Sequence, residues 1–521
     1  MSLLSNGYRF LLSLMAMMAG ITPLRAQYGT SEAWSTNSSQ RMVHKAPQDL
    51  RTSSSASTRI TLQPDESYQH IDGFGWMLTQ GSAKMLMQLP SDERHELIAE
   101  LYGADGLNAS MVRVAIGACD LSESAYTYAD TEDETLASFA IHANDLSSVV
   151  PILQEILTIN PQVKVLATPW TAPVWMKENT GGHNGFSGGT LKAEYYDLYA
   201  DYLLRYVTAM AGWGIPVWGI SVQNEPLNGH NNPSMTWTKE SMYRFIAGNL
   251  GPKLQSSDYS TVRIIGYDHN CDVTDFPIYV AKSKYVYGTA FHLYAGDISA
   301  LSTVYNSTGK PVLFTEQYTG KDGSFGGDLG WHCKNVVLGA LANHATTVLE
   351  WNLVSDPDYS IHTPGGCNTC QGALTISGSS LTRRNVSYYI IGHASRVMDP
   401  GAVRIQAATT AAGLSTIAAA NPDGSIGVVI YNDYDQARMI AISLPNPPST
   451  VTNNPSLLYA THSLPASGVL SVRIRPEQST AVHPIPSPSS AVKYIRNGQL
   501  VIALNGCQYT ILGQKITNTD L

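Results

Sequence analysis

Two glutamates carry the first chemical reading of this chain. Glu225 follows the apolar run Val217-Trp218-Gly219-Ile220-Ser221-Val222 and the pair Gln223-Asn224, and Pro226 comes next. Glu316 ends a second run, Val312-Leu313-Phe314-Thr315. A carboxylate is costly to bury unless it is paired or hydrogen-bonded, so one at the end of a core-like strand needs a reason. Taken singly, each could be a solvated strand end or a neighbour of a helix cap. Together, at matching ends of apolar strands, they suit hydrolysis of a glycosidic bond. One carboxyl would protonate the leaving oxygen while the other attacks the sugar or activates water. At neutral pH that requires one member protonated and the other ionised. Pro226 cannot extend a sheet ladder and is expected to hold Glu225 toward an extended backbone, giving its carboxyl a fixed direction.

These residues need elements to position them. Eight β-rich runs appear in order, at 71–75, 111–117, 163–170, 217–222, 262–266, 286–292, 312–316 and 347–352. Helical patterns lie between them, clearest at 146–159 and 195–213. Strands alternating with helices imply parallel pairing, and eight such units fit a (β/α)8 TIM barrel, an α/β fold. An open doubly wound sheet is the rival, but no GxGxxG follows the first strand. In a barrel the site forms where strands end. The runs end on Asp120, Trp170, Asn224-Glu225, Asp268-His269-Asn270, His292 with Tyr294, Glu316 and Trp351-Asn352. That list is polar and aromatic throughout.

From about residue 396 helical periodicity stops. Short alternating runs separated by Pro and Ser turns predict an attached antiparallel β-sandwich over 396–485. Residues 59–70 are expected to add a strand to it, with the catalytic barrel spanning 71–395. Residues 27–58, rich in Ser, Thr, Gln and Asn, are expected to be a flexible leader. Residues 486–521, beyond a Pro-rich break, form a C-terminal β appendage on this reading.

The chain has 521 residues, enough for more than one core. Its 41 Asp and Glu against 32 Lys and Arg give −9, which argues against nucleic acid or an anionic membrane surface as partner, since both need a basic face. Arg9 precedes an apolar run at 10–21, and Ala26-Gln27 offers a small-residue cut site. Residues 1–26 therefore have the layout of a signal peptide, and the protein is expected to be secreted or extracellular, in the periplasm or on the cell surface. No later stretch looks transmembrane, so stable membrane insertion is not expected. Cys367-Asn368-Thr369-Cys370 has CxxC spacing, but no second CxxC accompanies it. A local loop disulfide or free thiols are both open, and no metal or cofactor is expected.

A set of motifs runs in order along the chain: Gln69-His70-Ile71-Asp72-Gly73-Phe74-Gly75, Ala118-Cys119-Asp120-Leu121-Ser122, Tyr126-Thr127-Tyr128-Ala129-Asp130, the run from Thr168-Pro169-Trp170 to Lys177, Asn224-Glu225-Pro226, His292-Leu293-Tyr294 and Thr315-Glu316. This ordered set resembles glycoside hydrolase family 30. That family contains glucosylceramidases and microbial β-1,6-glucanases. The resemblance implies a barrel fused to a β-sandwich built from both chain ends, and a retaining mechanism. It implies that Glu225 is the acid/base, Glu316 the nucleophile, and that Asp120, Trp170, Asn224, His292, Tyr294 and Trp351 line the position of the reacting sugar. Asn224 can hydrogen-bond the 2-hydroxyl. Trp170 and Trp351 can face a pyranose or pack the barrel rim. Asp120 can accept from ring hydroxyls or cap its own turn. His292 can instead orient a catalytic carboxylate, and Tyr294 can donate to Glu316 and keep it ionised.

The stretch Gly73-Phe74-Gly75-Trp76 and the segment from Glu350 to Gly372 are more similar to the secreted bacterial branch related to β-1,6-glucanases than to glucosylceramidases. Tyr509 to Lys515 resembles the end of a bacterial secretion-sorting tail. The expected substrate is β-1,6-glucan or a related β-glucoside. Glucosylceramide, a simple β-glucoside or a β-xyloside are alternatives within the enzyme class. A non-catalytic carbohydrate-binding protein is the alternative outside it. Nothing in the sequence demands an oligomer.

Overall fold

The computed structural model describes residues 28–445 and 457–477, and the backbone of three further strands, Val492–Arg496, Gln499–Leu504 and Cys507–Thr510. The expected signal peptide and most of the expected sorting tail lie outside the described residues. Eight parallel strands close into a barrel: β1 (Gly73–Met77), β2 (Met111–Ile116), β3 (Lys164–Pro169), β4 (Val217–Ser221), β5 (Arg263–Cys271), β6 (Val286–Gly296), β7 (Val312–Glu316) and β8 (Ala345–Asn352). They pair in chain order, and β8 returns to β1.

The barrel interior is closed at one level by Met111, Leu166, Ile265, Ala290, Leu313 and Leu349, each buried. These come from β2, β3, β5, β6, β7 and β8, so the interior is a packed plug below the site. Strands β1 and β2 approach closely at Gly75, where an added Cβ would lie 1.9 Å from the Met111 carbonyl oxygen. Helix α1 (Val149–Ile159) and helix α2 (Tyr196–Gly212) bury their apolar faces in the core they share with the strands. Both match the periodicity of the sequence.

The second layer is a nine-stranded sheet. Thr58–His70 pairs antiparallel with Val403–Ala408 and parallel with Arg438–Pro445. Its own core contains Ile60, Leu62, Ile405, Val428, Ile442 and Val472. The reading of residues 27–58 as a flexible leader is corrected here. Tyr28–Thr36 is a strand paired along its length with Gly468–Pro476, and Val43–Asp49 pairs with it on the outer side. Ala33 and Trp34 are buried, and the polar residues between them and the core find partners. Ser31 bonds His462 at 3.0 Å and Thr36 bonds His393 at 2.7 Å. Polar composition suggested disorder; pairing of both polar and backbone groups overrides it. Residues 492–496, 499–504 and 507–510 make a separate three-stranded antiparallel sheet.

One buried acid supports the loop after β2. Asp145 receives the hydroxyls of Tyr126 and Tyr128, each at 2.8 Å, and both tyrosines stand in the loop that carries Asp120. Burial pushes the Asp145 carboxyl up to about 7 against those two bonds. A carboxyl raised on folding favours the folded state below its unfolded pKa, and that contribution is lost as pH rises through the folded value. The wild-type protein is therefore expected to lose up to about 4 kcal/mol from this group between about pH 4 and 7. Denaturation midpoints of wild type and Asp145→Asn across that range check this. The gap between them should change steadily with pH, and a constant gap would mean Asp145 does not titrate there.

Candidate active site

The C-terminal ends of the strands surround a cavity of about 410 Å3. Glu225 and Glu316 face it, and so do Asp120, Trp170, Asn224, Tyr294 and Trp351. One carboxylate oxygen of Glu225, one of Glu316 and a ring nitrogen of His292 all lie within 4.8 Å of one another. A larger cavity, about 610 Å3, opens elsewhere, but its ionic groups pair among themselves, Arg473 with Asp399 and Arg475 with Glu32.

Three irregular strand ends build this geometry. In β5, Tyr267 pairs with Ala290 and His269 with Phe291, leaving Asp268 as an extra residue. Tyr267 and Asp268 both have positive φ, 70° and 67°. In β7, Phe314 pairs with Phe291 and Glu316 with His292, so Thr315 is extra. In β8, Glu350 pairs with Trp76 and Asn352 with Met77, so Trp351 is extra. Such bulges re-aim side chains at a barrel rim. Here they bring the Thr315 hydroxyl to Asp268 Oδ1 at 2.6 Å.

Beneath the carboxyls lies Arg113 of β2, which is fully buried. Its Nη1 donates to Glu316 Oε2 at 2.5 Å, and its Nη2 donates to Asn224 Oδ1 at 2.7 Å and to Asp268 Oδ2 at 3.0 Å. It also lies 5.0 Å from the Trp170 ring centroid. A buried cation is sustained by such bonded anions. Asp268 further accepts from Ser221 at 2.5 Å, and Arg113, His292 and Ser221 together outweigh burial and hold its carboxyl well below the usual range.

His292 departs from the position that the resemblance implied. It is fully buried behind the cavity, with Nδ1 3.2 Å from Glu225 Oε1 and Nε2 3.1 Å from Asp268 Oδ1. The reading that it orients a carboxylate fits this placement. Burial alone would lower its pKa, but Glu316, Asp268 and Glu225 raise it to about 10. An imidazole that keeps its proton, with both nitrogens engaged, is a poor metal ligand, so this trio suits proton handling rather than cation binding.

The two glutamates have different surroundings. Burial would raise Glu225, but the hydrogen bond and charge of His292, and the Asn228 amide at 2.8 Å, hold it down. Glu316 is pushed up, first by burial and also by Glu225, against the pull of His292 and Arg113. The Tyr294 hydroxyl donates to Glu316 Oε1 at 3.0 Å, the bond expected from the sequence. Facing carboxyls this close titrate as a pair.

The expected extended backbone at Glu225 is corrected. Its φ is +46°, because its N–H reaches the Asp268 carbonyl at 2.9 Å and its carbonyl accepts from Asn228 N–H at 2.8 Å. Pro226 therefore occupies the second position of a tight turn, where its fixed φ is favourable. Glu225 is still held in one direction, by the turn and by His292.

Sequence reasoning missed Arg113 and gave Asp268 no role. The signal for Arg113 was present: a lone charge inside the apolar strand Met111-Val112-Arg113-Val114. Asp268 had no signal beyond its place near a strand end. Cys367 and Cys370 form a disulfide, which settles the choice left open, while Cys119, Cys271 and Cys333 are free and buried.

A closed parallel barrel with two carboxyls facing across a cavity at its strand ends is the framework of a glycoside hydrolase. The chain belongs to glycosyl hydrolase family 30: residues 71–396 match that family's TIM-barrel domain and residues 401–480 its beta sandwich domain. It is 31% identical over 427 residues to endo-1,6-beta-D-glucanase neg1 of Aspergillus fumigatus, covering 77% of this chain and 86% of that one. It is 27% identical to mouse lysosomal acid glucosylceramidase, covering 74% and 79%. Among solved structures, the endo-beta1,6-glucanase BT3312 superposes with a TM-score of 0.77 at 31% identity, covering 85% of this chain and 99% of that one. Among the described residues, no helix is long and apolar enough to cross a membrane.

Proposed function

We propose that this glycoside hydrolase is a secreted, retaining enzyme that cleaves β-1,6-linked glucan, with Glu316 as nucleophile and Glu225 as acid/base. The observation that carries the mechanism is the approach of their carboxylate oxygens to within 4.8 Å. Retaining enzymes hold the two carboxyls about 5–5.5 Å apart, whereas inverting ones leave room for water at about 6.5–9.5 Å. Glu316 attacks the anomeric carbon while Glu225 protonates the departing oxygen, leaving a covalent glycosyl-enzyme. Glu225 then takes a proton from water as water displaces Glu316.

The neighbours bear on these roles in opposite directions: Arg113 and Tyr294 donate to Glu316 and pull it toward the ionised form a nucleophile needs, whereas burial and Glu225 push it up, and His292 holds Glu225, the proposed acid, down. His292 Nδ1 stands 3.2 Å from Glu225 Oε1, where it fixes the direction of that carboxyl. Asn224 has its Oδ1 taken by Arg113, which leaves its amide N–H groups for the sugar 2-hydroxyl. Trp170 and Trp351, with ring centroids 5.7 Å apart, supply an apolar wall. Asp120, raised to about 7 first by burial and then by Glu316, is suited to ring hydroxyls.

The linkage rests on the endo-1,6-beta-glucanase relatives. A second reading, glucosylceramide, has support from the mouse relative and from Leu227 and Tyr318, which are exposed and apolar at the cavity mouth. Arg9 and the apolar residues 10–21 support export. A panel of β-1,6-glucan, laminarin, gentiobiose, glucosylceramide and an aryl β-xyloside separates these readings. The expected result is a kcat/KM for β-1,6-glucan at least about tenfold above the others, the scale of ordinary subsite discrimination. A preference for glucosylceramide would overturn the linkage and leave the carboxylate roles standing.

A further inference from the structure

The segment 363–371, beyond β8, is fastened to the cavity from several sides. Thr363 N–H donates to the Asp120 carbonyl at 2.9 Å, and the Thr363 hydroxyl donates to the Asn232 carbonyl at 2.5 Å. Asn232 Nδ2 donates in turn to the Pro364 carbonyl at 3.0 Å. Cys370–Gln371 pairs antiparallel with Thr319–Gly320, three residues beyond Glu316, and Lys321 N–H donates to the Thr369 carbonyl at 2.9 Å. At Gly366 an added Cβ would lie 2.3 Å from the Asp120 carbonyl oxygen, so the loop backbone presses on Asp120 at a distance only glycine allows.

Within this segment Cys367 and Cys370 are joined. Cys370 lines the cavity, and both cysteines pack in the cluster that holds Trp170 and Trp351. Asp120 lines the same cavity as Cys370, and its backbone carbonyl is bonded by Thr363 and pressed by Gly366, the residue before Cys367. The seat of Asp120 therefore follows the shape of the loop that the ring Cys367-Asn368-Thr369-Cys370 closes. Asn368 and Thr369 are polar residues that would allow an open loop several conformations.

We infer that the Cys367–Cys370 disulfide is a positioning element of the catalytic site: it fixes the loop whose Thr363 and Gly366 hold the Asp120 backbone against the cavity, and thereby sets which sugar hydroxyls the reacting position accepts. The inference rests on the reading of Asp120 as a sugar-binding residue. A ring of four residues constrains the unfolded chain far less than a long loop does, so the expected consequence of opening it is local.

The test is a mutant cycle on kcat/KM for β-1,6-glucan, with Cys367→Ala/Cys370→Ala, Asp120→Asn and the triple variant. A misplaced or lost charge-assisted hydrogen bond is worth about ten- to hundredfold. Each of the first two is expected to lose that much, and the triple variant to be no worse than Asp120→Asn alone. Losses that multiply would mean the disulfide does not act through Asp120 and would overturn the inference. An Asp120→Asn enzyme with unchanged kcat/KM would instead overturn the sugar-binding role of Asp120, and the inference with it. Wild-type enzyme treated with a dithiol gives a second measurement that needs no variant to fold. Two electrons and two protons pass from the dithiol to the disulfide, leaving two cysteine thiols and a cyclic oxidised reagent. Activity is expected to fall by the same factor, to return on reoxidation, and to be insensitive to the reagent in Cys367→Ala/Cys370→Ala. A reduced wild type with undiminished kcat/KM would overturn the inference.

Discussion

Glu316→Ala is expected to lower kcat by about 10^5-fold while leaving the fold intact, the scale of loss when a covalent nucleophile is removed. The fold should survive because Arg113, the cation beneath Glu316, keeps Asn224 and Asp268 as partners. Removing one of two facing carboxyls also relieves a like-charge contact, so thermal stability should be unchanged or slightly higher. The variant leaves space beside the anomeric carbon. A small anion such as azide or formate should restore part of the turnover of an activated aryl glucoside, giving a product of inverted configuration. An unchanged rate, or rescue with retained configuration, would remove Glu316 from the nucleophile's role.

Glu225→Gln is expected to act according to the leaving group. With a natural glucan the departing alcohol needs a proton, and the loss should be about 10^2–10^4-fold, the usual worth of a positioned acid. With a dinitrophenyl glucoside the first step needs no acid and should proceed nearly as in the wild type. The second step still lacks its base, so the glycosyl-enzyme should accumulate and a burst of phenol should precede slow turnover. Equal losses on both substrates would mean Glu225 does not supply the proton. His292 gives this prediction a structural basis, because it holds the Glu225 carboxyl in one direction from hydrogen-bond distance and is itself fixed by Asp268.

Much of this site could be read from the chain alone. A carboxylate that directly follows an apolar run is expensive unless it has a task, and that argument found Glu225 and Glu316 without a neighbour in view. Trp170, Asn224, Tyr294 and Trp351 were found by the same rule, that barrel strands end in the site. The Tyr294 bond to Glu316 was anticipated because the types are complementary. Arg113 was overlooked because it stands inside a strand, where position along the chain does not say which way a residue points. The strand at 28–36 was overlooked because its polar residues have partners more than 350 residues away, His393 and His462.

Local pattern determined the eight strands, the two prominent helices and the identity of the residues at the strand ends. Periodicity is a property of neighbouring residues, so sequence carries it. Tertiary structure decided the direction of each side chain proposed for catalysis. The extra residues at Asp268, Thr315 and Trp351 exist because strands far apart in sequence pair with a one-residue mismatch at the rim. The positive φ of Glu225 exists because its N–H finds the Asp268 carbonyl. Hydrogen-bond register between strands and the satisfaction of buried charge are cooperative over the whole barrel, and no single stretch of the chain contains them.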